Sequence, residues 1–198
     1  MNDRNKLRRR LYTHNQLMGA ARSFTQAAGG DSEFSSAMAS VLFCALALEA
    51  LLNHIGVSLL PSWEEHFRRR LSPEGKLALI ASHVNLLVDF GRKPFQAFRV
   101  LFEFRNQLAH GGTEDLPYEG AKHWLEYGAH RWPAAKWEVL CTAEEAASLV
   151  ADTEQMIETL FRVSGIEEVP AFLISEHVVK AQHAAPADPP AAPRPPGG

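Results

Sequence analysis

Cysteine is scarce in this chain, with Cys44 and Cys141 the only two in 198 residues. Two thiols cannot build a disulfide framework, and Cys44 lies inside the most apolar stretch, where a free thiol behaves as a small hydrophobe. A charge excess of one sign is lacking too. The formal net charge of −3 excludes a generally basic nucleic-acid coat, so any contact with RNA must come from local patches. Arg4, Lys6, Arg8, Arg9 and Arg10 form one such patch, and Arg68, Arg69 and Arg70 a second, although each also fits a solvated helix face. No glycine-rich phosphate loop occurs, and neither cysteine has a nucleophile's surroundings. His110, His123 and His130 lack Cys or carboxylate neighbours at metal-ligand spacing, while His54, His66 and His83 are isolated on helices. No metal and no cofactor are therefore expected. The apolar run from Met38 to Leu48 is too short to span a bilayer and is closed by Glu49. Arg and Lys fill the first ten residues with no apolar segment behind them, so no signal peptide is expected. These absences together point to a soluble cytoplasmic protein with no membrane partner.

What is present fits one domain with a real core: the hydrophobic share is 46%. Apolar periodicity and capping residues predict an all-α, up-and-down bundle of four to five main helices over residues 1–183. Residues 184–198, rich in Pro and Ala, read as a disordered tail. A first helix is expected over residues 5–28, ending at Gly29-Gly30. Asp31 or Ser32 is placed to cap a second, through Ile55, with Gly56 as its stop. That helix is apolar nearly all round, which marks a central element. A short helix is expected from Ser62 to Leu71, then one capped by Ser72-Pro73 and running to Val88. Another runs from Pro94 to His110. Residues 113–135, broken by Pro117, Gly120, Gly128 and Pro133, read as a loop with a short helix, and Lys136 to Cys141 as a brief strand. Thr142-Ala143-Glu144-Glu145 is a capping box that opens the last helix, ending at Gly165. Trp63, Trp124, Trp132 and Trp137 are expected to be exposed and available for contacts as well as for the core.

The most informative segment is Phe104-Arg105-Asn106-Gln107-Leu108-Ala109-His110-Gly111-Gly112. It closes an apolar helix with an Arg, an Asn and a His, and two glycines then stop the helix. A guanidinium can fork onto phosphate oxygens and an imidazole can move protons near neutral pH, so the set suits work on a phosphodiester. At 100° per residue, Phe98, Leu101, Phe102, Leu108 and Ala109 share a stripe with Arg105 near its middle. A cation on a core-facing stripe needs a partner, and Glu49, the only acid of the apolar second helix, is the obvious one. Such a pair can also be purely structural. Arg99, Glu103, Asn106 and His110 form a second, polar stripe, which either faces solvent or lines a cleft opened by the glycines. Arg105 and His110 are about 140° apart around the axis, too far to converge from one regular helix.

The string resembles the Arg-x4-6-His motif of the HEPN superfamily, small helical proteins of which many cut RNA without a metal. In that family a polar residue such as Asn106 commonly follows the Arg. The motif closes a late bundle helix, and an earlier helix carries a polar or acidic residue, as Glu49 and Asn53 do within Leu48 to Ile55. The resemblance covers roughly residues 5–165. It implies a homodimer in which two motif helices meet across a two-fold axis and share a composite active site. It further implies a metal-independent endoribonuclease, with a toxin or defence role and an antitoxin or defence-system partner among the family's uses. On this reading Arg105, Asn106 and His110 are catalytic, and Glu49, Asn53, Arg99 and Glu103 support them. In toxin relatives a Tyr often stands two residues after the His; here that position is Gly112, and the nearest Tyr is Tyr118. The competing expectation is a non-catalytic HEPN-like module that binds a partner protein or a nucleotide.

Overall fold

The computed structural model describes residues 7–116, 133–167 and 175–179. Its architecture is all-α, with helices α1 (Thr13–Ala27), α2 (Glu33–Leu59), α3 (Pro73–His83), α4 (Gln96–His110) and α5 (Ala143–Ser164). The described residues fall into two compact units. One spans Tyr12–Ile174 and carries all five helices; the other carries two short strands.

The strands correct the expected first helix over residues 5–28. β1 (Leu7–Leu11) pairs antiparallel with β2 (Ser175–Val179), in a register running from Leu7↔Val179 to Leu11↔Ser175. The helix begins only at Thr13. Arg and Lys are good helix formers, so local propensity favoured helix here, and a strand partner far along the chain overrode it.

α2 is the hub of the helical unit, and α1, α3, α4 and α5 all pack against it. Its Val41, Cys44, Ala45, Leu48, Leu51, Leu52 and Ile55 are fully buried, as its all-round apolar pattern requires. The stretch Gly30–Leu59 is long and apolar enough to cross a membrane by length and composition. Here it is the core helix of the bundle. Cys44 is the small buried hydrophobe expected, its thiol pushed up to about 12 by burial.

Two caps form as their sequences dictate. The Ser72 hydroxyl accepts from the Gly75 N–H at 3.1 Å with Pro73 in the first turn, and Thr142 accepts from the Glu145 N–H at 3.2 Å. α5 gains a further cap from α2, where Glu33 Oε1 accepts the Ala143 N–H at 3.0 Å. α4 is anchored near its start by Lys93, whose ammonium lies 3.0 Å from the buried Asp152 carboxylate of α5.

Other boundaries differ from expectation. Ser32 donates back to the Gly29 and Ala27 carbonyls instead of capping α2. Gly56 does not stop α2, which continues to Leu59. Its missing side chain instead makes room for Trp63, since a Cβ on Gly56 would lie 2.3 Å from the indole. Trp63 is accordingly buried, not exposed. The helix expected over Ser62–Leu71 contracts to one wide turn, Trp63–Phe67, and α3 ends at His83, before Asn85 turns left-handed at φ 54°. The strand expected at Lys136–Cys141 is a 3-10 turn, Glu138–Leu140. Most of the loop expected over 113–135, with Tyr118, His123, Trp124, His130 and Trp132, lies outside the described residues. So do Arg4, Lys6 and the tail at 184–198.

Candidate functional site

α4 presents the motif on its last two turns. Its core face is Ala97, Phe98, Leu101, Phe102 and Phe104, while Ala109, expected on that stripe, is exposed. Arg105 sits at the margin of this face with its side chain 30% exposed, and its Nη2 is 3.6 Å from Glu49 Oε2 on α2. The expected partners thus meet, but loosely. The close partner of Glu49 is Lys76 on α3, whose Nζ donates to Oε1 at 2.8 Å and whose side chain is only 2% exposed. A single carboxylate therefore lies between two cations from different helices. Burying Lys76 requires that carboxylate, because an unpaired ammonium in the core is strongly disfavoured.

Lys76 escaped the sequence reading. The signal was present in α3, where Lys76, Leu77, Ile80 and Ala81 share the core-facing side. Asn53, one turn beyond Glu49 on α2, has its side-chain oxygen buried without a hydrogen-bond partner.

The polar stripe of α4 does line a cleft. It has a volume of about 630 Å³ and lies between the start of α3 and the length of α4. Arg99, Glu103, Asn106 and His110 all border it, with Gln107 added and Phe98 and Phe102 contributing apolar surface. Arg99 is committed elsewhere: its Nη2 is 2.7 Å from Glu74 Oε1 on α3, and its guanidinium lies 4.2 Å above the Phe90 ring. Such an ion pair with a cation–π contact ties the two walls together.

Asn106 links the cleft to the ion-pair cluster. It borders the cleft, and its Oδ1 accepts from Arg105 Nη1 at 2.9 Å. Arg has only donors, so this bond assigns the amide and leaves the Asn106 NH2 free to donate. His110 is the last residue of α4 and is exposed. The chain leaves it through Gly111, whose N–H bonds the Gln107 carbonyl at 2.7 Å; a Cβ there would sit 2.3 Å from that oxygen. Glycine is thus what lets the chain turn away sharply and leave the imidazole open. The surface patch at Arg68, Arg69 and Arg70 is exposed, with Arg68 forked onto Glu64 at 2.8 and 2.9 Å.

A second histidine cluster lies elsewhere in the helical unit. His14 of α1 is 2% exposed and stands 5.1 Å, ring to ring, from His54 of α2, with Tyr12 and Phe161 against them. Burial, and then the neighbouring His54, hold His14 down to about 4. His14 is therefore a neutral core residue near pH 7. Among the described residues no three His, Cys, Asp or Glu side chains gather as metal ligands.

Comparison with family models, with curated proteins and with solved structures gives no match to this chain.

Proposed function

We propose that this protein is a HEPN-type, metal-independent endoribonuclease of the cytoplasm that works as a homodimer. The observation that carries the reading is the end of α4. A half-exposed Arg105 is held by Glu49 and Asn106, and an open His110 follows it on the rim of a cleft. Arg105 keeps donors free for a phosphate, and His110 can exchange protons with solvent and substrate.

In the proposed reaction, His110 takes the proton of a ribose 2′-hydroxyl as its oxygen attacks the adjacent phosphorus. The bond to the 5′-oxygen breaks, and that oxygen takes a proton from the partner's His110. One product ends in a 2′,3′-cyclic phosphate and the other in a 5′-hydroxyl. Arg105 stabilises the charge that gathers on the phosphoryl oxygens, and Asn106 holds Arg105 in place. The homodimer is what the HEPN resemblance implies, and the divergence of Arg105 and His110 by about 140° on one helix supports it, since a second copy of α4 would complete the site around one phosphate.

The test is cleavage of labelled RNA in EDTA by wild type, Arg105→Ala and His110→Ala, each shown to be folded. Proton transfer by a placed side chain contributes about 10²–10⁴ in rate, so His110→Ala should lose at least about a hundredfold. Equal rates for wild type and both variants would place the activity in another site or another protein. Absence of cleavage by wild type across varied RNAs would leave a non-catalytic binding module in its place.

A further inference from the structure

The cleft between α3 and α4 contains more than a phosphate needs. Phe98 and Phe102 line it from the core side and are only 2% and 8% exposed, so its recognition chemistry falls to the polar groups of α4. The α4 wall carries Glu103, exposed and with no ion-pair partner among the described residues, whereas Glu74 across the cleft is neutralised by Arg99. One turn further along α4 stands Asn106, whose NH2 is left free by its bond to Arg105. The wall therefore offers a charged acceptor and then a neutral donor, about 4.5 Å apart along the helix axis.

We infer that this cleft is a base-recognition subsite for guanine in the RNA substrate. Of the four bases, guanine alone places two N–H donors side by side, at N1 and N2, next to an acceptor, O6. A carboxylate takes such a donor pair in two parallel bonds, and an amide NH2 beside it reaches O6. Adenine and cytosine would turn a ring-nitrogen acceptor toward the carboxylate, and uracil offers one donor between two acceptors. That the base belongs to an RNA substrate rests on the ribonuclease reading; the base preference does not.

The intact protein would be titrated with guanosine, adenosine, cytidine and uridine 3′-monophosphates, followed by calorimetry and by backbone amide NMR shifts. Guanosine 3′-monophosphate is expected to bind at least about tenfold more tightly than the other three, as a bidentate base contact provides. Its shifts should map to Ser72–Glu74 and Phe98–Gly111. Glu103→Gln, a substitution at an exposed position, should remove the preference while the melting curve stays as in wild type. Equal binding of all four nucleotides, shifts that map elsewhere, or an unchanged preference in Glu103→Gln would each overturn the assignment. Guanosine binding without any RNA cleavage would support the subsite and count against catalysis alone, so the two readings fail separately. If RNA is cut, cleavage beside guanosine is expected, and cutting indifferent to the neighbouring bases would overturn the subsite.

Discussion

Removing the charge of Glu49 should destabilise the helical unit far more than removing Arg105, although both belong to one cluster. Glu49→Gln keeps the shape but leaves Lys76, with a side chain only 2% exposed, without an ionic partner. Breaking a buried pair in this way costs about 3–5 kcal/mol. For a body of this size each kcal/mol lowers the melting temperature by about 2–4 °C, so a drop of roughly 6–20 °C is expected. Lys76→Met leaves Glu49 with Arg105 at 3.6 Å and a quarter of its side chain in water, and about 2 kcal/mol is expected. Arg105→Met leaves the 2.8 Å bond between Glu49 and Lys76 intact and removes a pair open to solvent, so it should cost about 1 kcal/mol or less. The double variant Glu49→Gln with Lys76→Met removes the stranded charge and should melt above Glu49→Gln alone. Thermal unfolding followed by far-UV circular dichroism reads all four. The reasoning is refuted if Arg105→Met melts as low as Glu49→Gln, or if the double variant recovers nothing.

Gly56→Ala drives a methyl into the Trp63 indole and should cost about 1–3 kcal/mol, with a change in tryptophan fluorescence; a wild-type melting curve would show that the Trp63 turn moves freely. His14 binds its proton at about 4 in the folded chain and near 6.5 when unfolded, so the unfolded state holds more protons between those values. Its contribution is complete above pH 6.5 and is lost as the pH falls toward 4, by about 3 kcal/mol in all. His14→Phe should flatten that acid slope in urea titrations, and an unchanged slope would assign it to other groups. On the proposed composite site, light scattering at micromolar concentration should give the mass of two chains; a strict monomer would remove that site.

What was legible in the sequence is what local chemistry decides. The Ser72 and Thr142 caps depend on residues three apart, and both form as written. The meeting of Glu49 with Arg105 was legible because each is a lone charge on an apolar stripe. The polar stripe from Arg99 to His110 was legible as a cleft wall because glycines follow it. The rest depended on distant partners. Leu7–Leu11 is a strand because Ser175–Val179 pairs with it, and Gly56 reads as a helix stop until Trp63 is placed where a Cβ would otherwise be. Lys76 stands on the core-facing side of α3, but its partner is set by α2, which brings a carboxylate to it.

That lysine also bears on the proposed chemistry. A guanidinium alone with a buried carboxylate would close onto it and spend its donors there. Lys76 occupies Oε1 of Glu49 at 2.8 Å, and Arg105 approaches the other oxygen only to 3.6 Å. Two cations share one negative charge, so a unit of positive charge remains for a phosphate at the half-exposed Arg105. Lys76→Met should let Glu49 draw Arg105 inward, and RNA cleavage should fall by about tenfold, a barrier change of about 1.4 kcal/mol, without Lys76 touching RNA. Removing the carboxylate as well, in Glu49→Gln with Lys76→Met, should release Arg105 and restore part of the rate. Both rates must be measured well below the melting temperature of each variant. A Lys76→Met protein that cuts at the wild-type rate, or a double variant slower than Lys76→Met, would show that Arg105 is positioned without regard to Lys76.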